Sequence, residues 1–338
     1  MERNTITALA LFSGGLDSIL SCRVVAAQGI RVKAVKFVTP FFGYDLLARQ
    51  EEYIQEIRKK YDIDVVLHDI SDIYLPMVGN PPHGYGKNFN PCLDCKILML
   101  IEARKMLDTY GASFIITGEV VGQRPMSQRL DTLRVIARDC DCEDILVRPL
   151  CAQSLNSTKP EQDGLVDREQ LLNFKGRSRK DQIALARRFS ITDYPAPAGG
   201  CVLTDLSLSR RVARFYEEQS EIVADDIVFI LHGRHFRLPH GGLLAMGRDE
   251  SENEKVVLLQ KADDWNIKMP DWPGPTAILR YAANEDEIKL AAGLVVRYSK
   301  KIDGKPQRGV VVQASCGDAT ITLEVDPLAD TVFQGWLR

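Results

Sequence analysis

No stretch of this 338-residue chain approaches the ~18 consecutive apolar residues of a membrane-spanning helix. The opening Met1-Glu2-Arg3-Asn4 has no apolar signal core and no small-residue cleavage site, so a secretory leader is not expected. An excess of one charge is missing too. Lys and Arg number 43 against 46 Asp and Glu, a net of −3, so bulk charge gives no sign of a polyanion partner. Internal repeats and low-complexity tracts are absent, which excludes solenoids, fibres and disordered chains. Eight cysteines are too sparse for a secreted disulfide framework of this length. What is present is 45% apolar and 26% charged residues, the profile of a globular protein with two or three domains. The expected compartment is the reducing cytoplasm, where close cysteine pairs bind metal or do redox chemistry.

The first 150 residues alternate strand and helix signals. Ile6–Phe12 is an apolar run with no polar face, as in a strand buried on both sides. An amphipathic stripe follows (Leu16, Ile19, Leu20, Val24, Ala27), stopped by Gly29. Strands are expected at 31–38, 64–70, 113–117 and 144–147. Helices are expected at 46–60, 128–138 and from Cys92 to about Tyr110. This alternation predicts a doubly wound parallel α/β sheet. Residues 151–224 turn polar and then mostly helical. From Asp226 short β-like runs are interrupted by one helix at 286–298, giving an α+β domain over 225–338.

Ser13-Gly14-Gly15-Leu16-Asp17-Ser18 lies where the first strand meets the first helix. Glycines there let backbone approach an anion, and free amides with the helix dipole attract it. An Asp would repel a phosphate, so Asp17 reads as a Mg²⁺ holder or a loop-orienting group. The spacing fits neither a Walker loop nor a dinucleotide fingerprint. It resembles the PP-loop of the N-type ATP pyrophosphatases, whose adenine-nucleotide alpha-hydrolase (HUP-type) fold the resemblance implies. In that family the loop grips the pyrophosphate of ATP while a substrate oxygen is adenylated. The resemblance further implies adenine held by backbone near Phe37, with the turn at Gly118 completing the pocket.

Cys92-Leu93-Asp94-Cys95 follows Asn90-Pro91 at an expected helix start, where amides and dipole favour thiolates. By spacing alone this is a redox pair, half a zinc site or part of an iron–sulfur site. Cys201 lies in Pro197-Ala198-Gly199-Gly200-Cys201, whose small residues permit close approach. Asn-Pro-Cys-x-x-Cys with a distant third cysteine resembles the tRNA 2-thiouridine and 4-thiouridine synthetases. That likeness implies sulfur relay through Cys92 and Cys201, or a 4Fe–4S cluster held by Cys92, Cys95 and Cys201 with one iron open. The cluster is favoured over a persulfide relay, because three ligands and an open position suit transfer of a ligand. Cys140-Asp141-Cys142 reads as structural, as do His232, His235 and His240. Arg124, Gln128 and Lys96 are weaker candidates for contacts to phosphate or base.

Bulk charge hides a local excess. Residues 168–214 hold ten basic and four acidic residues, net +6, including Lys175, Arg177, Arg179, Lys180, Arg187 and Arg188. These six are the expected RNA-phosphate contacts. Gly247-Arg248-Asp249, Trp265, Trp272-Pro273-Gly274-Pro275 and Ile288-Lys289-Leu290-Ala291-Ala292 resemble the NFACT-R module, which implies an RNA-binding C-terminal domain.

The combined expectation is an ATP- and Mg²⁺-dependent tRNA sulfurtransferase forming AMP and pyrophosphate, with Asp17, Cys92 and Cys201 catalytic. Its partners would be tRNA and a sulfur donor, either a persulfide carrier or sulfide. A homodimer is the candidate assembly. The alternatives are sulfur transfer into or out of a small molecule, and an RNA-binding factor that uses ATP as a conformational ligand.

Overall fold

A computed structural model describes residues 6–196 and 201–337. Pro197–Gly200, the small-residue run before Cys201, lie outside the described residues. The chain divides into two compact units, Met1–Ser209 and Arg210–Arg338. Among the described residues no helix is long and apolar enough to cross a membrane.

The first unit runs β1 (Thr7–Leu11), α1 (Leu16–Ala26), β2 (Arg31–Val38), α2 (Gln50–Tyr61), β3 (Asp64–Asp69), α3 (Ser71–Gly79), α4 (Cys92–Lys105), α5 (Leu107–Tyr110), β4 (Phe114–Thr117), α6 (Leu130–Asp139) and β5 (Leu146–Val147). Its five strands pair in parallel in the order β3-β2-β1-β4-β5. The expected parallel α/β architecture is what forms. β1 is central and buried along its whole length, as its unbroken apolar run requires. The chain builds outward through β2 and β3, then crosses to β4 on the far side of β1. The carboxyl ends of β1 and β4 therefore flank the point where the winding reverses, the usual ligand crevice of such sheets.

After β5 come α7 (Lys159–Gln162), α8 (Lys180–Arg188) and α9 (Leu206–Glu218). Between α7 and α8 the backbone runs as a strap whose donors go outside it. Leu172 N donates to Pro149 O, Phe174 N to Leu150 O and Gly176 N to Val121 O. Those external partners, with Leu171 buried in the core, explain why residues 171–176 do not coil.

The second unit contains α10 (Ala224–Leu231), β6 (Arg234–Arg237), β7 (Leu243–Met246), α11 (Glu250–Leu258), β8 (Trp265–Lys268), β9 (Ala277–Arg280), α12 (Glu285–Arg297), β10 (Val310–Cys316), β11 (Ala319–Val325) and α13 (Asp330–Phe333). Its six strands form an antiparallel sheet in the order β11-β10-β8-β9-β7-β6, with α12 buried against it. α10 and α11 are additions to the sequence reading. The run around Ile227 and Phe229 is short and apolar, where strand and helix periodicities are indistinguishable. α11 starts at Asp249, whose carboxylate accepts from Glu252 N.

Candidate functional site

The phosphate-type loop follows from local chemistry. Gly14 has φ +85°, a left-handed conformation that favours glycine. Gly15 N–H donates to Ser13 Oγ at 3.3 Å, and Ser18 Oγ–H donates to Gly15 O at 2.8 Å. α1 then begins with no side-chain cap; Ser18 N donates to Gly15 O at 3.0 Å, and the amides of Leu16 and Asp17 head the helix as candidate anion donors. Gly118, just past β4, is needed at close quarters. A Cβ there would lie 2.5 Å from the Asp17 carbonyl carbon and 2.6 Å from Ser18 N. The two expected loops, 13–18 and 118, are in contact.

Asp17 points one carboxylate oxygen at Gln123, whose Nε2 donates to Oδ2 at 2.6 Å. The other, Oδ1, is buried with no partner. Burial raises the Asp17 pKa, opposed by the Gln123 bond and by the charges of Arg179 and Arg124. Glu119 stands beside it in sequence with Gly118 and is fully buried. Its Oε2 accepts from Arg148 Nε at 2.9 Å and Thr117 Oγ1 at 3.1 Å, while Oε1 has no partner. Burial works to raise its pKa, but Arg148, Lys96 and Thr117 outweigh it and hold the carboxyl below the ordinary value. Asp17 in the loop and Glu119 beside Gly118 thus each keep one open oxygen, and an open buried oxygen is what a cation or donor ligand would satisfy.

Phe37 is buried in β2 and meets His68 edge-on at 5.8 Å. Its ring is part of the core, so only backbone there could face a base. Lys36, its neighbour, went unread in the sequence. Its Nζ donates to Ser13 O at 2.7 Å and sits 5.7 Å from the Tyr53 ring centroid, and burial lowers its pKa. A lysine on a strand ordinarily reads as solvent-facing; here it supplies positive charge directly under the glycine loop. Gln128 is buried with Oε1 unpartnered, and its carbonyl accepts from Gly122 N at 2.7 Å.

The three sequence-selected cysteines come together around one tyrosine. Cys92 and Cys95 form the first turn of α4, and Cys92 Sγ accepts from Asn90 Nδ2 at 3.0 Å. Tyr74 of α3 is buried and feels the charges of Cys95, Cys201 and Cys92. Each of the three thiols is half-buried. Burial pushes the Cys201 thiol up to about 12 and raises Cys95 as well, so the lowering expected from the helix start does not hold at Cys95. Tyr74 had no signal in the sequence, because only the tertiary fold brings α3 to α4. Among the described residues no three His, Cys, Asp or Glu side chains could hold a single metal ion as they stand. The donor set nevertheless suits an iron–sulfur cluster, which takes soft thiolates and spreads its ligands over several metal atoms.

Cys140 and Cys142 are buried and donate to Ala137 O and Cys140 O, a structural role. His235 is likewise spent: burial lowers its pKa to about 3, and Nε2 bonds His232 O at 2.7 Å. Lys175, Arg177, Lys180, Arg187 and Arg188 are exposed and Arg179 half-buried. Among the described residues none of these six is in an ion pair, unlike Arg23, Arg104 and Arg168 of the same unit.

Comparison with known proteins agrees with both resemblances. Residues 4–157 match the family model of the thiamine biosynthesis protein ThiI, and residues 233–337 match that of the NFACT protein RNA binding domain. A probable tRNA sulfurtransferase of Thermococcus kodakarensis is 25% identical over 147 residues, 42% of this chain and 36% of that protein. The chain thus spans about a third of the length of the curated relative it matches. Among solved structures, a 4-thiouridine synthetase–RNA complex with bound ATP has 19% identity and a TM-score of 0.36, covering 66% of this chain and 52% of the other. NMN synthetase from Francisella tularensis has 14% identity and a TM-score of 0.37, covering 66% and 82%. The chain therefore joins a ThiI-like PP-loop segment to a segment resembling the NFACT protein RNA binding domain.

Proposed function

We propose that the protein is an ATP-dependent tRNA sulfurtransferase. The observation that carries the reading is contiguity. Lys96, the residue after Cys95, acts electrostatically on Glu119, and Glu119 follows Gly118, which lies against Asp17 and Ser18. That proximity supports reading the nucleotide loop and the thiol cluster as parts of one site.

In this mechanism residues 13–18 cradle the pyrophosphate end of ATP, with the α1 amides and Lys36 as its positive charge. Asp17 Oδ1 would hold Mg²⁺, which neutralises phosphate charge when bound. The carbonyl oxygen of a base, uridine or cytidine, attacks the α-phosphorus and pyrophosphate leaves. Loop amides stabilise the charge that develops on phosphorus, the largest single term in such steps. Sulfide held at the Cys92–Cys95–Cys201 site then adds to the base carbon, AMP departs with the oxygen, and the sulfide proton passes to solvent. Those three thiols would hold a 4Fe–4S cluster, which would supply a soft metal centre for sulfide. The target base is unstacked to enter the crevice, and Lys175, Arg177, Arg179, Lys180, Arg187 and Arg188 take the tRNA backbone.

The test is anaerobic incubation with ATP, Mg²⁺, sulfide and tRNA, scoring thiolated nucleoside, AMP and pyrophosphate. Cys201→Ala is expected to keep pyrophosphate release and lose thiolation. Wild-type thiolation by that variant would overturn the cysteine assignment.

A further inference from the structure

The basic stretch is built into the nucleotide crevice. Lys175 bridges Val121 in parallel fashion, and Gly176 N donates to Val121 O at 2.8 Å. Downstream, Leu185 and Ala186 place α8 in the same core as α1. Between these anchors lies Gln182, on the first turn of α8 and only 1% exposed. Its Nε2 donates to Gln123 Oε1 at 3.0 Å, and Gln123 Nε2 donates to Asp17 Oδ2 at 2.6 Å.

This two-step chain has a definite polarity. A carboxylate needs a donor, and a glutamine amide offers a donor at one end and an acceptor at the other. Donation from Gln182 to Oε1 fixes which end of Gln123 faces Asp17. Without it the amide is free to turn and set Oε1 against the carboxylate. Two more buried atoms of α8 and its cap, Gln182 Oε1 and Arg179 Nε, have no protein partner, and the Arg179 charge acts on Asp17. The helix that displays exposed cations to solvent is thus also the support of the carboxylate beside the phosphate loop.

We infer that Gln182 is a positioning residue of the nucleotide site, acting through Gln123 on Asp17. Through it, RNA phosphates docked on Arg177, Arg179 and Lys180 and ATP docked on residues 13–18 favour each other's binding. The inference rests on the reading of the α8 cations as tRNA contacts. Coupling of this kind is reciprocal: each ligand tightens the other by one and the same factor.

The experiment is equilibrium binding of Mg²⁺·ATP to the full chain with and without tRNA, and of tRNA with and without Mg²⁺·ATP. For the wild type a mutual factor of about fivefold or more is expected, within the usual range of coupling energies. Gln182→Met is expected to weaken binding of Mg²⁺·ATP alone severalfold, leave binding of tRNA alone near the wild-type value, and bring the factor to one. Thermal melting confirms folding; should that variant not fold, Gln182→Asn breaks the same bond with a shorter polar side chain. A wild type without coupling, or a variant that retains it, overturns the inference. A simple loss of stability would weaken both separate affinities and leave their ratio unchanged. The underlying RNA reading fails differently: Arg177→Glu with Lys180→Glu would leave tRNA affinity unchanged.

Discussion

The carboxylates at the glycine loop of the first unit and those in the core of the second are treated in opposite ways. In the second, Asp226, Asp264 and Glu287 are all buried and fully spent. Arg280 donates to both Asp264 oxygens and to Asp226, with its guanidinium 4.0 Å from the Phe229 ring centroid. Glu287 closes a turn, taking His240 N and Gly242 N on one oxygen and Ala283 N on the other. In the first unit Asp17 and Glu119 each keep one buried oxygen open at the crevice. A closed carboxylate holds a fold together, whereas an open one costs stability unless something comes to meet it. The contrast separates scaffold from site without reference to motif.

The sharpest way to break the contrast is to open a closed site. Arg280→Met leaves Asp226 and Asp264 buried with a guanidinium removed, and stranding a buried charge costs about 3–5 kcal/mol. All three tryptophans, Trp265, Trp272 and Trp336, lie in the second unit. Denaturant unfolding followed by tryptophan fluorescence therefore reads that unit directly. A midpoint close to wild type would show that the network is dispensable.

The converse change belongs to the open site. Asp17→Asn removes a carboxylate that burial disfavours and that, among the described residues, hydrogen-bonds Gln123 alone, so stability by circular dichroism is expected to stay within about 0.5 kcal/mol, as for changes outside closed networks. Pyrophosphate release from ATP is expected to fall about 100-fold or more, the scale of losing one charge-stabilising group. A large loss of stability with activity retained would make Asp17 scaffold and erase the contrast.

The sequence makes the open site more legible than the closed one. Ser13–Ser18 was readable because glycines stand between an apolar strand and a helix within twenty residues, although α1 is buried on most sides rather than along one stripe. Cys92 and Cys95 were readable by spacing. Lys36, Tyr74 and Gln182 were not, since each acquires its role from a residue far away in the chain: Ser13, Cys95 and Gln123. Their types, a strand lysine, a helix tyrosine and an amide in a basic run, carry no local signal. The ion network around Arg280 was equally hidden, because its members are single charged residues spread over 226–280. α10 escaped because a short apolar run does not reveal its period.

The first unit also holds closed carboxylates, and pH should expose one of them. Asp94, between the two cysteines of α4, is buried and closed: His83 N donates to Oδ2 at 3.0 Å and His83 Nδ1 meets Oδ1 at 2.8 Å. The far ring nitrogen meets Asp139 of α6 at 3.0 Å, beside Arg138. An imidazole between two carboxylates donates to both only when it carries both protons. The hydrogen bond to Asp94 leads in raising the His83 pKa, which burial opposes. A raised folded pKa means that the added stability is complete below the unfolded value of about 6.5 and is lost as pH climbs through the folded one. Hydrogen exchange over residues 80–91 should therefore quicken from pH 6 to pH 9 beyond its intrinsic dependence, and His83→Gln should remove that excess. The Arg280 network, which contains no imidazole, should show no such change. Equal pH responses at the two sites would mean that the partner's chemistry does not govern how a buried carboxylate stays closed.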